Sequence, residues 1–359
     1  MPRLRLFFFI GRYYLRYFLV IFIALELFFV GIDSLQYVDN FAESANLVVL
    51  FLAYDFMYAI NFALPISLLL AMAICYLSLI KSSQYTALLA LGYSKRALLR
   101  PVLIFSIFFS CLYIGLNATP FAYAQEEVAT FFKDSSNVPT KDLFVKHNQS
   151  YVFFGTINSL AQASALRVFE LDKDKKELLS VIQAKKALFE NNFWVLQQAQ
   201  TQILPKAWNL GGTGFTNKID ANLPILEHFN PKVLDSFSQA KPSISILDAL
   251  DSFVLLSAQN ISTNKARAIL YSLILVPLFV PFVAIIISYY TPSLARYVNL
   301  YLLGFCFIIF SLLMWGLFYA LSQFAITDII HPEVAMPIPI GIVALVALCY
   351  YTRLNKKLD

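Results

Sequence analysis

The sequence predicts an α-helical membrane protein with an inserted all-β domain: three transmembrane helices, an antiparallel β domain outside the cytoplasm, then three more helices. Three observations carry this. Of 359 residues 59% are hydrophobic and only 14% charged, with a mean hydropathy of +0.67, whereas soluble domains are roughly 25% charged. Five stretches, 56–80, 101–125, 268–295, 297–327 and 334–352, carry no Asp, Glu, Lys or Arg, and each holds the roughly 20 residues needed to cross a ~30 Å hydrocarbon slab. The segment 125–264 instead alternates charges of both signs with short apolar runs. The 34 Phe, 20 Tyr and 3 Trp exclude a disordered chain, because that much aromatic surface has to be buried in protein or lipid.

A first span runs from Tyr17 to Tyr37, apolar except for Glu26 and Asp33. Arg3, Arg5, Arg12 and Arg16 precede it, as in a signal peptide, but no small-residue cleavage site follows Val30, so the helix is read as retained. An ionised carboxylate in hydrocarbon costs at least a few kcal/mol. Glu26 therefore faces a cavity or a partner helix, or is protonated or hydrogen-bonded to a neighbouring helix. The second span contains Pro65, and Pro277, Pro281, Pro337 and Pro339 lie in later ones, where they kink helices.

After the second span the stretch Lys81–Arg100 is too long for a minimal connection. It reads as a short helix, 83–91, ended by Gly92 as a left-handed C-cap, after which Ser94 caps the third span. Tyr85, Leu88, Leu89 and Tyr93 offer apolar knobs above a basic rim, and Gln84, Gly92 and Arg96 complete the candidate coupling set. Such a helix suits docking into a nucleotide-binding subunit; the alternative is an interfacial helix lying on lipid.

Within 125–264, the runs 150–156, 165–171, 178–189 and 193–204 read as strands. Asn191-Asn192 suits a two-residue hairpin turn, and Asp172 to Lys176 a solvated tip. Apolar residues fall on both faces of the strands at Tyr151–Phe154 and Phe193–Leu196. A solvated sheet needs only one apolar face. The sheet is then either covered on both sides, or one face, Tyr151, Phe153, Phe193 and Val195, is a slide for acyl chains. Ile244 to Leu255 read as an amphipathic juxtamembrane helix, or a helix covering the sheet edge, leading into the fourth span. The domains are thus 1–124, 125–264 and 265–359.

Orientation follows from basic residues. One set of ends carries Arg3, Arg5, Arg12, Arg16, Lys81, Lys95, Arg96, Arg100, Arg296, Arg353, Lys356 and Lys357 against Asp359 alone, while the alternate loops carry Asp33, Asp39, Glu43, Asp55, Asp328 and Glu333. Both termini are expected in the cytoplasm. The net charge of +5 is a topology signal rather than a nucleic-acid footprint, so no nucleic-acid partner is expected. Cys75, Cys111, Cys306 and Cys349 fall inside spans and offer no metal spacing. His147, His228 and His331 are scattered without a nucleophile, and the glycine-rich run 211–218 lacks the Gly-Lys-Ser/Thr of a phosphate loop. No enzyme, metal site or cofactor is expected on this chain.

Several stretches, taken in order, resemble the LptF/LptG permeases of the lipopolysaccharide export transporter of Gram-negative bacteria. They are Arg12-Tyr13, Tyr37-Val38-Asp39-Asn40-Phe41, Pro65 with the apolar run to Leu79, Ala90-Leu91-Gly92-Tyr93-Ser94-Lys95 and Ser243-Ile244-Ser245-Ile246. The resemblance covers almost the whole chain, and its specificity lies in the ordered set; Tyr37 to Phe41 look more like LptG. It implies an inner-membrane half-transporter with a periplasmic β-jellyroll, paired with a homologous permease (LptF or LptG). It also implies two copies of the ATPase LptB, which would hold ATP and Mg, together with LptC and the periplasmic bridge LptA. Lipopolysaccharide would enter an outward-facing apolar cavity, assigned here to Glu26, Phe28, Phe29, Ile32, Gln36, Phe307 and Phe310. Two positions depart from the family: Gln84 stands where a Glu is usual, and Gln36 and Asn40 stand in a zone where LptG proteins carry Lys. An ABC permease for lipoprotein release or peptide export shares the same physics. A membrane-anchored sensor or scaffold whose β domain binds a periplasmic partner belongs to another class, separated by whether a nucleotide-binding subunit co-purifies.

Overall fold

A computed structural model describes residues 2–36, 45–130, 140–147, 150–158, 162–171, 178–190, 193–205, 214, 216–226, 244–258, 263–294 and 298–354. The expected turns at 172–176 and 191–192, the stretch 37–41 and the charges Arg296, Lys356 and Lys357 lie outside these residues. By contacts the chain divides into two compact units: Met1–Lys133 with Ser245–Leu250 and Asn264–Asp359, and Asp134–Ile244 with Asp251–Thr263.

The first unit is helical. It comprises α1 (Pro2–Gln36), α2 (Ala45–Lys81), α3 (Gln84–Ala90), α4 (Lys95–Leu116) and α5 (Ala124–Thr130). After the β segment come α6 (Ile246–Ala258), which is divided between the units, then α7 (Asn264–Ile274), α8 (Phe279–Tyr290), α9 (Leu300–Ile326), α10 (Pro332–Ala335) and α11 (Pro337–Arg353). Among the described residues six helical stretches are long and apolar enough to cross a membrane, the fourth made of α7 and α8 and the sixth of α10 and α11. Pro277 and Pro281 account for the break between α7 and α8, since neither can donate a backbone hydrogen bond. The Ser110 hydroxyl donates to the freed Pro277 carbonyl at 3.1 Å.

Burial separates these helices. The apolar window of α2 is 78% buried and that of α1 only 11%, so α2 is the central post and α1 a peripheral one. On α1 the buried positions Leu6, Ile10, Tyr14 and Phe18 recur every four residues, a stripe facing α2 and α4. Tyr14 donates to the Leu68 carbonyl at 3.1 Å and lies 3.4 Å from the Ser106 hydroxyl, which satisfies its buried oxygen. Glu26 sits two further steps along the same stripe and is fully buried.

Asp55 corrects one expectation. It was placed in an outer loop, but α2 starts at Ala45, and Asp55 lies within it at 1% exposure, facing Asp33 and within electrostatic reach of Glu26. A charge-free stretch marks the apolar core of a span and not the start of its helix. At the start of the fourth span, Arg267 pairs with Glu333 of α10, and Asn264 donates to Asp328 at 3.1 Å, tying α7 to α10 and the segment before it.

The second unit contains one antiparallel sheet of six strands in sequential order: β1 (Thr140–His147), β2 (Ser150–Asn158), β3 (Gln162–Leu171), β4 (Leu178–Glu190), β5 (Phe193–Ile203) and β6 (Thr216–Ile225). Each strand pairs with its predecessor, so the described strands form a meander, and the inserted all-β domain is as expected. Four strands follow the predicted runs closely. β1 and β6 were not anticipated, and residues 216–218, read as loop, begin β6.

One face of the sheet carries the core: Val152, Phe154, Leu166, Val168, Ile182, Trp194 and Leu196 cluster with small residues, and Phe154 packs against Trp194 at 5.4 Å. Strict alternation would bury every second residue. Instead β2 steps from Phe154 to Ile157, β3 from Ala163 to Leu166, β4 from Ala184 to Ala187 and β5 from Leu196 to Ala199. These three-residue steps are neighbours across the sheet, because Ile157 pairs Ala163, Ala163 pairs Ala187 and Ala187 pairs Leu196. Ala165 and Gln198 take positive φ at 52° and 53° within them. The pairing register does not change across these steps, so a row of matched pleat irregularities crosses four strands and keeps the core on one face; the register shifts only between Glu170 and Leu171. Gly155 marks the row on β2, where an added Cβ would lie 2.8 Å from that of Ala165.

Candidate functional site

The candidate site is the junction of helix ends around α3. Gln84–Ala90 form the short helix, one residue shorter at each end than predicted. Its end is a Schellman turn: Gly92 takes φ +84°, its amide donates to the Leu89 carbonyl at 3.0 Å, and the Tyr93 amide donates to the Leu88 carbonyl at 3.2 Å. Ser94 caps α4 by accepting from the Ala97 amide at 3.2 Å.

Three side chains tie this region to the second half of the chain. The Thr86 hydroxyl donates to the Ser293 carbonyl at 2.6 Å. Lys95, 3% exposed, donates to the Thr291 carbonyl at 2.9 Å, just past the end of α8. Arg96 donates to the carbonyls of Tyr351 and Thr352, at 3.0 and 2.6 Å, and its guanidinium lies over the Tyr351 ring at 5.0 Å. The last carbonyls of a helix have no intrahelical donors and carry partial negative charge. Arg96 therefore caps α11, and the start of α4 is bonded to the ends of α8 and α11.

The predicted docking residues divide accordingly. Tyr85 points inward, 1% exposed, its ring 5.8 Å from that of Tyr76; burial pushes its hydroxyl pKa up, so it stays neutral. Leu88, Leu89 and Tyr93 are half-buried against the same core. Gln84 is half-buried with its Oε1 unpartnered among the described residues. Arg96 faces α11 and not an outer rim. The outward surface is Ala87, Ala90, Leu91 and Gly92, with Leu91 74% exposed. Sequence reasoning placed Leu91 in the helix but not on its surface; a seven-residue helix is too short for periodicity to identify an outer face.

The residues assigned to a lipid cavity do not form one surface. Phe28 and Ile32 are exposed on α1, Phe29 is half-buried, and Glu26 is fully buried with both carboxyl oxygens unpartnered among the described residues. The Gln36 side chain lies outside the described residues. Phe29 meets Phe62 at 6.1 Å, and Phe62 meets Tyr319 of α9 at 5.7 Å. Phe307, buried, and Phe310, half-buried, lie earlier on α9, Phe307 about 18 Å along the axis from Tyr319. The patch through Phe28, Phe29 and Ile32 is therefore at the level of Tyr319. In the β unit, Val152, Phe154, Trp194 and Leu196 are core, while Tyr151, Phe153, Phe193 and Val195 are half-buried on the opposite face. Phe144, 58% exposed, stacks on Tyr151 there at 5.5 Å.

Six apolar spans interrupted after the third by a β domain, with a short helix beside a junction of span ends, define a multi-pass membrane protein. The family model for the lipopolysaccharide export system permease LptF/LptG matches residues 9–353, and the chain belongs to that family. It is accordingly an inner-membrane transport subunit of lipopolysaccharide export. No curated protein matches the chain.

Proposed function

We propose that this chain is one permease half of an ATP-driven exporter. It pairs with a homologous permease, and two copies of a cytoplasmic ATPase drive the pair, one of them docked at α3 of this chain; it extracts lipopolysaccharide from the outer leaflet of the inner membrane and passes it over its periplasmic β domain toward LptC and LptA. ATP and Mg belong to the ATPase. The observation that supports this is the bonding of the α3 region to the ends of α4, α8 and α11, because a docked subunit gains leverage on three spans at once. The exposed Leu91 enters a groove of that subunit, and the half-exposed Tyr151, Phe153, Phe193 and Val195 face meets acyl chains. The domain limits 1–124, 125–264 and 265–359 and cytoplasmic termini belong to the same reading.

Its test is Leu91→Asp. A charge placed in an apolar docking groove is uncompensated, so the ATPase should be lost on purification and lipopolysaccharide release should stop, with the chain still folded and membrane-inserted. Full retention of ATPase and of release would remove α3 from the docking role.

A further inference from the structure

A groove of about 620 Å³ lies between α1 and α4, lined by Phe7, Phe8, Leu15 and Phe105 with Arg12 and Arg16 at its side. Gly11 makes it possible: a Cβ there would lie 2.8 Å from the Phe105 ring, which instead reaches α1 and stacks with Phe7 at 6.0 Å. The flank is lipid-facing in character, with Phe8 65% and Leu19 51% exposed. Phe105 follows Arg100, the last charge before the uncharged stretch 101–125, by five residues, about 7 Å along the axis. The groove therefore opens at the shallow end of the span, near the headgroups.

Arg12 and Arg16 are one turn apart, both exposed, and among the described residues neither has an ion-pair or hydrogen-bond partner. Neither α4 nor the part of α1 before Glu26 carries an acid. Side chains on a helix lean toward its N-terminus, so both guanidinium groups lean back toward the polar end while their stems line apolar surface. Two planar cationic forks beside an apolar trough match a phosphodiester with acyl chains.

We propose that this groove is a binding site for an anionic glycerophospholipid, its phosphate held by Arg12 and Arg16 and an acyl chain lying along Phe8, Leu15 and Phe105. The site lies at the basic ends of the spans, in a different leaflet from the cargo path proposed above, and its readout does not depend on export.

The test uses the full-length protein, purified with the subunits it carries. It is titrated with phosphatidylglycerol or with phosphatidylethanolamine of the same chains, and retained lipid is read by native mass spectrometry. Phosphatidylglycerol should be preferred, and its retention should fall roughly tenfold or more in the Arg12→Gln, Arg16→Gln double variant. A photo-crosslinker at Phe8 with both arginines intact covers the case in which the double variant does not fold; in cells it should capture phospholipid. Equal retention of the two lipids, unchanged retention in a folded double variant, or capture of only protein or lipopolysaccharide at Phe8 would overturn the proposal.

Discussion

Lys95 donates its buried ammonium to the backbone carbonyl of Thr291 at 2.9 Å, joining residues 196 positions apart. With Arg96 on Tyr351 and Thr352, it fastens the start of the third span to the ends of the fourth and sixth. Hydrogen bonds from charged donors contribute about 1.5–3 kcal/mol, and a buried acceptor left alone costs comparably. Lys95→Met should therefore lower stability by about 1–3 kcal/mol, and Arg96→Gln by less because it is half-exposed. Thermal unfolding measures the first effect. Lipopolysaccharide released per ATP consumed measures the second: both variants should hydrolyse ATP yet release less. Unchanged coupling in both would mean that the helix ends move independently.

Gly92 at φ +84° cannot be replaced by proline, whose ring fixes φ near −65°. Gly92→Pro should lose the Schellman turn and with it transport, while Gly92→Ala should cost about 1 kcal/mol or slightly more. Leu88→Asp should uncouple and also destabilise, because Leu88 packs against the helical core. Destabilisation with Leu88→Asp but not with Leu91→Asp, followed by thermal melting, distinguishes an inward residue from an outward one.

The basic bias sets a topology. Reporter tags fused at residues 1 and 359 should be cytoplasmic, and the segment 125–264 should be cut by protease only from the periplasmic side. Cleavage of that segment from the cytoplasm would reverse the orientation and, with it, the place of α3.

On the β domain, a photo-crosslinker should capture lipopolysaccharide from Tyr151, Phe153, Phe193 and Val195, and only while ATP is hydrolysed. Positions Val152, Phe154, Trp194 and Leu196, filled by the domain's own core, should give none. Capture from the second set would mean that acyl chains displace the core, and capture from neither, with transport intact, would make the domain a docking platform.

The spans were legible because desolvation acts on every residue of a transmembrane helix, so a stretch without charges is a direct record of it. Where charges are tolerated the record fails. Asp55 looked like the edge of a loop, because nothing local shows that Asp33 and Glu26 approach it. Arg96 looked like a docking rim, although its acceptors are carbonyls more than 250 positions away. Tyr85 lies on α3 and Leu91 is its C-cap, and only the fold decides that the first turns inward and the second outward. The strands β2 to β5 announced themselves through apolar alternation, whereas β1 and β6 sit at the sheet edges, and the exposed positions 216–222 of β6 carry little pattern.

The row of three-residue steps pins the register of the sheet. In a regular sheet a strand can slide by two residues and keep its faces. Here each such slip would carry one three-residue step past its neighbours and put the residues between the steps on the wrong face. A slip between the inner strands is thereby disfavoured, and the core stays on one face.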